Sequence, residues 1–499
     1  MGNKHYVVAI DLGSKNVTVA ASSGRVDGRM VVDAVVRKPS QGVCGGAIDN
    51  IELAVASLKS AVAELEKQLN IGVYEAYFGI SGEFIRCASH NDWVSVGDQS
   101  NGVSQSDIDE LYARMEKVCA PNDDEIILER IPQNFMVDGS KEVANPVGSF
   151  GQSLSSTFNF ILSTKTPIKR LTNAALKMGI KPLKTYINPV ITPEVLLRPY
   201  EKEEGVAVVD IGADITDVTI YANNVLRYAA SIPLGSDVIN RDISTLSVPR
   251  QFVEQMKVEY GNASKEDVPK NEVIEFPIHK GKKSILKYNL AAIIEARVWD
   301  IADYVTEEIK HAGYEKKLPY GIVLAGGGSK LAGLAKALSE YMKMDVRVGT
   351  PEDVVDAESV KLVDGPEYDV VTGLLWRGLE TGKYCYVDQR PVPPQPGVRD
   401  EDRVAPAPAA PKVDEGGAPK NENTAAGDDQ KDDGNKPSPA KPDDRKDDRP
   451  DDKGKNGGHG GTENQHRPKG GFVDKFKRFI GNLSDKMDEM GGSGDDDVI

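Results

Sequence analysis

The chain opens with two short apolar runs separated by a polar tip that contains a glycine. Residues 6–10 are continuously apolar, as expected of a strand buried on both faces. The run ends at Asp11 and Gly13, and a second apolar run begins at Val17. The pattern predicts a β-hairpin whose tip carries a carboxylate and a glycine.

The same pattern recurs 199 residues later. Residues 206–209 are apolar and end at Asp210 and Gly212, and a further apolar run begins at Val218. The repeat predicts a duplicated α/β fold with two similar lobes. Because the second apolar run resumes later after its tip than the first does, the pattern also predicts a longer second loop.

Two further segments have a clear helical or strand pattern. An apolar strand over residues 321–325 leads into three glycines, and the spacing after them predicts a helix from about Lys330 to Met342 with Ser329 as its N-cap. Its expected buried face consists of Leu331, Leu334, Ala335 and Leu338. An earlier helix is predicted over residues 51–69. Its expected apolar face consists of Leu53, Ala54, Leu58, Ala61, Val62 and Leu65.

The C-terminal part has a different composition from the rest of the chain. Residues 387–471 contain 13 of the 29 prolines and no Phe, Trp, Tyr, Leu, Ile or Met, which predicts a disordered charged linker. An amphipathic helix is predicted after it, over residues 472–490. The apolar side chains that define this helix include Phe472, Phe476, Phe479, Ile480 and Leu483.

Composition and charge exclude several classes of protein. No apolar run is long enough for a spanning helix, and the first residues do not resemble a signal peptide, so a cytoplasmic location is expected. Four scattered cysteines do not suggest a disulfide framework or a zinc site. The net charge of −16 argues against nucleic acid as a partner.

The two predicted hairpin tips suit the phosphates of a nucleotide. Glycine lets backbone N–H groups approach a phosphate closely, and Ser14, Lys15 and Thr216 could add further donors. The carboxylates of Asp11 and Asp210 would suit a hydrated Mg²⁺ that bridges the phosphates. A single Asp-x-Gly is usually only a turn, so this interpretation depends on the matched second copy.

The two tips and the glycine triplet together resemble the phosphate and adenosine motifs of the superfamily that contains actin, the 70-kDa heat-shock chaperones and sugar kinases. Within it, the chain resembles the FtsA family of bacterial cell-division proteins over about residues 1–386 and in the terminal helix. Three features support this narrower resemblance: the segment from Phe78 to Ser163, the Glu-x-x-Lys pattern in residues 252–261, and the linker with its amphipathic helix.

The resemblance implies an actin-like, two-lobed fold with ribonuclease H-like halves and an inserted α+β subdomain. The implied boundaries are residues 1–85 and 164–200 for lobe I, 86–163 for the insertion, 201–245 and 301–386 for lobe II, and 246–300 for the small subdomain of lobe II. The disordered linker and the amphipathic helix would follow, over residues 387–471 and 472–490.

The resemblance also implies a function. Such a protein binds ATP and Mg²⁺, polymerises at the inner face of the cytoplasmic membrane, and tethers the tubulin-like FtsZ there at the division septum. FtsZ would dock through its C-terminal peptide on the second lobe's small subdomain, and other division proteins through the inserted subdomain. The terminal helix would bind an anionic membrane surface reversibly, so that many helices on one filament are needed for stable attachment.

Site residues follow from the resemblance position by position. Asp11 and Asp210 would hold the metal through water, and Glu194 would position the attacking water, although it could equally be a solvated residue at a helix start. The implied nucleotide contacts are Gly13, Ser14, Lys15, Gly212, Thr216, Glu254, Lys257, Gly326, Gly327, Gly328 and Ser329.

One departure from the family affects catalysis. Ala213 and Asp214 stand where relatives usually have glycines, and a carboxylate beside a triphosphate is repulsive unless it points to solvent or to the metal. Weak or absent ATP hydrolysis is therefore expected.

Two other functions remain open from the sequence. A soluble sugar-type kinase has the same fold but no use for the tail, and a pilus-assembly relative differs chiefly in its partner. An apolar helical stripe can also pack on a protein instead of a lipid surface.

Overall fold

The structure of the chain, a computed structural model, describes residues 5–118, 121–140, 142–278 and 281–389. The predicted amphipathic helix, with its five proposed membrane residues, lies outside the described residues, as does the predicted linker after residue 389. In the part that is described, no helix is long and apolar enough to span a bilayer.

The described residues form strands and helices in the following order. The strands are β1 Val7–Leu12, β2 Asn16–Val26, β3 Arg29–Pro39, β4 Val43–Cys44, β5 Ala47–Ile48, β6 Ile71–Val73, β7 Glu75–Ile80, β8 Ile85–Ser95, β9 Glu125–Val137, β10 Ser153–Thr164, β11 Lys181–Ile187, β12 Val206–Ile211, β13 Thr216–Ala222, β14 Val225–Ile232, β15 Val273–Ile278, β16 Gly281–Leu286, β17 Ile322–Ala325, β18 Val346–Val348 and β19 Val387–Gln389. The helices are α1 Ile51–Leu69, α2 Gln105–Val118, α3 Lys165–Lys177, α4 Asn188–Leu196, α5 Pro199–Glu204, α6 Asp237–Ile243, α7 Arg250–Tyr260, α8 Lys287–His311, α9 Leu334–Met342 and α10 Asp369–Glu380.

The predicted duplication is confirmed by two five-stranded sheets with the same topology. Their strand orders are β11-β7-β1-β2-β3 and β18-β17-β12-β13-β14, so in each sheet the first three strands run parallel and the last two pair antiparallel. We call the first sheet, with the helices packed on it, lobe I and the second lobe II. The fold is the predicted actin-like α/β fold.

The two hairpins match in register as well as in sequence. Leu12 pairs with Val17 at the first tip, and Ile211 pairs with Thr216 at the second, so both loops have the same length. The prediction of a longer second loop is wrong, because strand β13 begins at a polar residue. Thr216 lies in the strand, two positions before the apolar run begins at Val218.

Helix α1 spans the predicted residues. It begins after Asn50, whose side-chain oxygen accepts hydrogen bonds from the N–H groups of Glu52 and Leu53. Leu58 and most of the predicted face are buried against lobe I, but Leu53 is 45% exposed and does not belong to that face.

The end of the described chain packs on lobe I and not on lobe II. Helix α10 packs on β1, β2 and β7, and its residues Val371 and Leu374 belong to the core of lobe I. The Val8 N–H group points to the Cys385 Sγ atom at 3.2 Å, and β19 pairs with β6. The assignment of residues 301–386 to lobe II is therefore wrong for this last part. The linker also begins later than predicted, because residues 387–389 form strand β19, in which Val387 packs against the core of lobe I.

The inserted α+β subdomain forms between β7 and α3. Its sheet has the order β8-β10-β9, and helix α2 covers one face of it. Leu111, Met115, Leu154 and Phe160 are fully buried in a core of its own. The predicted insertion is thus confirmed as a separately packed unit.

Lobe II has a helix at the Glu-x-x-Lys segment and at the segment after the glycine triplet, and the second of these helices starts later than predicted. Residues 252–261 fall largely within α7. Helix α9 starts only at Leu334, because residues 327–330 form a 3₁₀ turn and Gly333, with φ of 76°, precedes the helix. Ser329 is therefore not its N-cap, and Leu331 and Ala335 are only half-buried, whereas Ala337 is buried.

Candidate functional site

A cavity of about 690 Å³ lies between the two hairpin tips. The tips come from opposite lobes, so the cavity is a cleft between the duplicated halves. Residues predicted for the site that line it are Asp11, Gly13, Ser14, Lys15, Asp210, Gly212, Glu254, Lys257, Gly326, Gly327 and Gly328. The structure thus brings together most of the predicted site.

Both tips need glycine for the same geometric reason. The Gly13 N–H group donates to Asn16 O at 3.1 Å, and the Gly212 N–H group donates to Ile215 O at 2.8 Å. A Cβ atom at either glycine would lie 2.9 Å from the same carbonyl oxygen, which is closer than real Cβ atoms approach. The two tips therefore have the same tight turn, and at each glycine no side chain stands between the backbone and the cavity.

The carboxylates at the base of the tips are held in a poorly solvated place. Burial raises the pKa of Asp11 to about 7, against the opposing effects of the Arg37 guanidinium and a hydrogen bond with Asn188. Burial, reinforced by the charges of Asp217 and Asp11, raises the pKa of Asp210 well above its usual range. Negative charge concentrated in this way favours a bound cation.

The donor set suits a hydrated Mg²⁺. Within the described ranges, no three acidic, histidine or cysteine side chains are grouped closely enough to ligate a metal ion directly. Mg²⁺ commonly keeps several waters and takes one or two carboxylates, which matches Asp11 and Asp210. The Oδ1 atom of Asn188, also at the cavity, is buried without a hydrogen-bond partner among the described residues, so it could accept from a metal-bound water.

The glycine triplet closes the opposite side of the cavity. Gly326 has φ of 76°, and a Cβ atom there would overlap the Asp210 Oδ1 atom and come within 2.7 Å of Ile211 O. A Cβ atom at Gly328 would lie 2.8 Å from the same carbonyl oxygen. Gly326 and Gly328 therefore pack closely against the end of β12 at the second tip, and only glycine permits this approach.

Comparisons with known proteins agree with this geometry. The family model described as "Cell division protein FtsA" matches residues 207–373, and the model described as "SHS2 domain inserted in FTSA" matches residues 82–162. The chain is 28% identical over 377 residues to the cell division protein FtsA of Pseudomonas aeruginosa, which covers 75% of this chain and 89% of that protein. The chain is a relative of FtsA. The FtsA of Bacillus subtilis is also 28% identical, over 378 residues that cover 75% of this chain and 84% of that protein.

A solved structure shows the same fold at low sequence identity. The PilM-PilN type IV pilus biogenesis complex has a TM-score of 0.52 and 13% identity, and the match covers 76% of this chain and 99% of that chain. At this identity the likeness concerns the fold alone. Taken with the family matches, it makes this FtsA relative an actin-like cell-division protein.

Three predicted site residues do not line the cavity of this FtsA relative. Thr216 is fully buried, and its Oγ1 atom donates to Leu234 O at 2.7 Å. Ser329 is also buried, and its hydroxyl donates to Ala325 O. Both hydroxyl groups satisfy backbone carbonyls within lobe II, so they are not available as donors to a ligand.

Glu194 lies away from the cavity, inside α4 and paired with Arg377 of α10. Burial raises its pKa to about 7, although the Arg377 guanidinium opposes this shift. Neither interpretation from the sequence holds: Glu194 does not reach the cavity, and it is not a solvated residue at a helix start. Pro193 lies within the helix, which begins at Asn188.

Several polar residues that line the cavity were not among the predicted site residues. Ser81 and Asn188 directly follow β7 and β11, which run parallel to β1, so all three strands end at the same edge of the sheet. A polar residue directly after a parallel strand is a signal that could have found both. Arg37 and Glu367 gave no such signal, because long-range packing brings them to the cavity.

The departure at Asp214 has a defined structural role. Its Oδ2 atom accepts a hydrogen bond from the Gly45 N–H group of lobe I at 2.9 Å. Close by, the Ser81 hydroxyl donates to the Asp217 carboxylate at 2.6 Å. The second hairpin therefore presents two carboxylates to lobe I and joins the lobes on one side of the cleft.

Proposed function

We propose that this FtsA relative binds ATP with a hydrated Mg²⁺ between its lobes and uses the nucleotide to control polymerisation. The observation that carries this proposal is the pair of register-matched glycine tips facing one cavity, each with a buried aspartate at its base. A turn formed for folding alone would have no need to be duplicated across a cleft.

Different residues would contact the phosphates and the cation. Backbone N–H groups near Gly13 and Gly212 would contact the phosphates from opposite lobes, and Lys15 would supply positive charge. Asp11 and Asp210 would hold the hydrated cation. Bound there, Mg²⁺ would neutralise phosphate charge and fix the phosphates relative to the tips.

The adenosine half would lie towards the glycine triplet and α7. Residues 326–328 leave room for close backbone approach, and Glu254 and Lys257 line the cavity from α7. The Lys257 Nζ atom lies 3.2 Å from the Glu254 Oε2 atom, so this pair offers both a donor and an acceptor to ribose hydroxyls or a base.

ATP would act as a switch more than as a substrate. Glu194, the residue expected to position water, is paired with Arg377 outside the cavity. Asp214 places a negative charge at the second tip, where attack on the terminal phosphate would need neutralisation. Weak or absent hydrolysis therefore stays our proposal.

Isothermal titration of ATP into the full chain, with Mg²⁺ and with EDTA, tests the site. We expect Asp210→Ala to abolish the part of the affinity that depends on Mg²⁺, because it removes one of the two metal carboxylates. Asp353→Ala, at an exposed carboxylate, is the matched control. Equal Mg²⁺-dependent affinity in wild type and Asp210→Ala would contradict the metal role.

We further propose that the protein tethers FtsZ filaments to the cytoplasmic membrane. The support is the family relationship together with the sequence of residues 472–490. Deletion of residues 470–499 should abolish co-sedimentation with anionic liposomes, and Phe479→Glu should reduce it because a charge replaces an apolar contact. Unchanged pelleting of the deletion variant would rule out the membrane role of this helix.

The proposed partner is the C-terminal peptide of FtsZ, docking on the small subdomain of lobe II. A pull-down with that immobilised peptide and a scrambled control peptide tests it on the full chain. Retention by the scrambled peptide, or none by the authentic one, would contradict it. The inserted subdomain would serve other division proteins, and filaments would form through contacts between copies of the chain.

A further inference from the structure

Lys15 and Asp214 occupy equivalent positions in the two tips, because the strands that carry them pair in the same register. The Lys15 Nζ atom reaches lobe II, where it lies 3.5 Å from both the Asp237 Oδ1 and the Glu254 Oε2 atoms. Asp214 reaches lobe I and binds the Gly45 N–H group. The duplicated position thus carries opposite charges on the two sides of the cavity.

The chain that follows β14 holds the backbone of the second tip in place through hydrogen bonds. The N–H groups of Ser236 and Asp237 donate to Gly212 O at 2.9 Å and to Ala213 O at 2.8 Å. A Cβ atom at Gly235 would overlap Ala213 O and lie 2.7 Å from the Asp214 N atom. The tip therefore cannot retreat from the cavity, and the Asp214 carboxylate stays at its wall.

The loop that receives Asp214 is equally constrained. Gly45 and Gly46 form the turn between β4 and β5 with φ of 56° and 76°. A Cβ atom at Gly46 would overlap the carbonyl of Ser81, so the turn lies directly on the chain after β7. Gly46 lines the cavity, and the adjacent Gly45 N–H group is a donor that Asp214 occupies.

We infer that Asp214 determines the nucleotide preference of the cleft and makes it favour a nucleoside diphosphate over the triphosphate. This inference rests on the proposed nucleotide binding. A terminal phosphate adds negative charge between tips of which one already carries a fixed carboxylate. The Gly45 N–H group is already occupied by that carboxylate and is not free to stabilise the added phosphate. A diphosphate brings less charge and leaves the Asp214–Gly45 contact in place.

The size of the preference follows from Coulomb's law. Two unit charges a few ångströms apart repel about fourfold more strongly at an effective dielectric constant of 20 than in bulk water. Asp214 is half-buried at the cavity wall, so an intermediate value applies. We expect removal of its charge to tighten triphosphate binding about tenfold.

The test is isothermal titration of ADP and of AMPPNP into the full chain at saturating Mg²⁺. Asp214→Asn removes the charge and keeps an oxygen for the Gly45 N–H group. We expect this variant to bind AMPPNP about tenfold more tightly than wild type, with ADP affinity changed by less than about twofold. Asp27→Asn, at an exposed turn residue with φ of 50°, is the control and should change neither affinity.

Salt dependence separates charge repulsion from a merely structural effect. In wild type the preference for ADP should shrink as salt rises, whereas Asp214→Asn should show little preference at any salt concentration. An equal change for both nucleotides would overturn the inference. Weaker AMPPNP binding in Asp214→Asn would overturn it too, because Asp214 would then be a metal ligand. If wild type binds neither nucleotide, the proposed function itself fails, and this inference fails with it.

Discussion

Replacement of Gly326 by alanine is the sharpest test of how the glycine triplet builds the site. Gly326 has φ of 76°, and its Cβ atom would overlap the Asp210 Oδ1 atom while lying 2.7 Å from Ile211 O. Asp210 is buried and Ile211 belongs to β12, so neither neighbour can move without disturbing the centre of lobe II. The substitution therefore combines backbone strain with steric overlap.

Gly313 supplies a control for an alanine at positive φ without steric overlap. Gly313 has the same φ of 76°, and a Cβ atom there would meet nothing within 4 Å. Gly313→Ala should therefore cost only the strain of an alanine in the left-handed region, about 1–2 kcal/mol. Gly326→Ala should cost about 1–3 kcal/mol more, because it overpacks a buried site and because ψ of 160° at positive φ is a conformation that essentially only glycine adopts.

Urea unfolding of the full chain, followed by far-UV circular dichroism, measures both variants against wild type. Titration with ATP and Mg²⁺ supplies the functional readout, in which Gly326→Ala should lose affinity and Gly313→Ala should not. If the two variants are destabilised equally and both keep wild-type affinity, the proposed close packing of the triplet against Asp210 is wrong.

Three further predictions concern stability. Hydrogen bonds from Arg86 lower the pKa of Glu125 to about 2. The contribution of this ion pair to the free energy of unfolding is therefore complete above the unfolded pKa of about 4.3, and it is lost as the pH falls through about 2. Because Arg86 is half exposed, Glu125→Gln should cost only about 1–2 kcal/mol at pH 7, and a loss that does not shrink towards pH 2 would contradict the assignment. Asn50→Ala removes the cap of α1 and should lower the free energy of unfolding by about 1 kcal/mol, whereas Asn50→Asp should retain most of it. Leu58→Ala, at a fully buried position, should cost about 2–5 kcal/mol in the same urea assay, and a smaller loss would mean that α1 packs less closely than described.

Local sequence patterns predicted helices and strands correctly where the apolar residues recur with a single period. Helix α1 and the two hairpins follow from apolar spacing, since a buried strand or an amphipathic helix must place its apolar residues with a fixed period. The pattern failed where polar residues are buried in strands. Thr216 and Asp217 are polar by sequence, yet both are buried in β13, so the apolar run gave the wrong loop length.

Among the cleft residues, too, some could be predicted from the sequence and others could not. Asp11 and Gly13 could be predicted, because a carboxylate and a glycine at a strand end form a recognisable tip. Glu194 could not be assigned, because its partner Arg377 lies far away in sequence and is placed by the packing of α10. The chain order gave no indication that α10 returns to lobe I.

By itself, the sequence determined the duplicated hairpins, their aspartates and glycines, and the contrast between the folded body and the composition of the C-terminal segment. These features depend on residues close together in the chain. Only the tertiary structure decided which of them meet. The pairing of Asp214 with Gly45 joins the two lobes across the cleft, whereas Thr216 is kept from the cavity by its hydrogen bond to Leu234 within lobe II, and Glu194 by its pairing with Arg377. Such contacts join residues that no local period relates, so they can be read only after the lobes are in place.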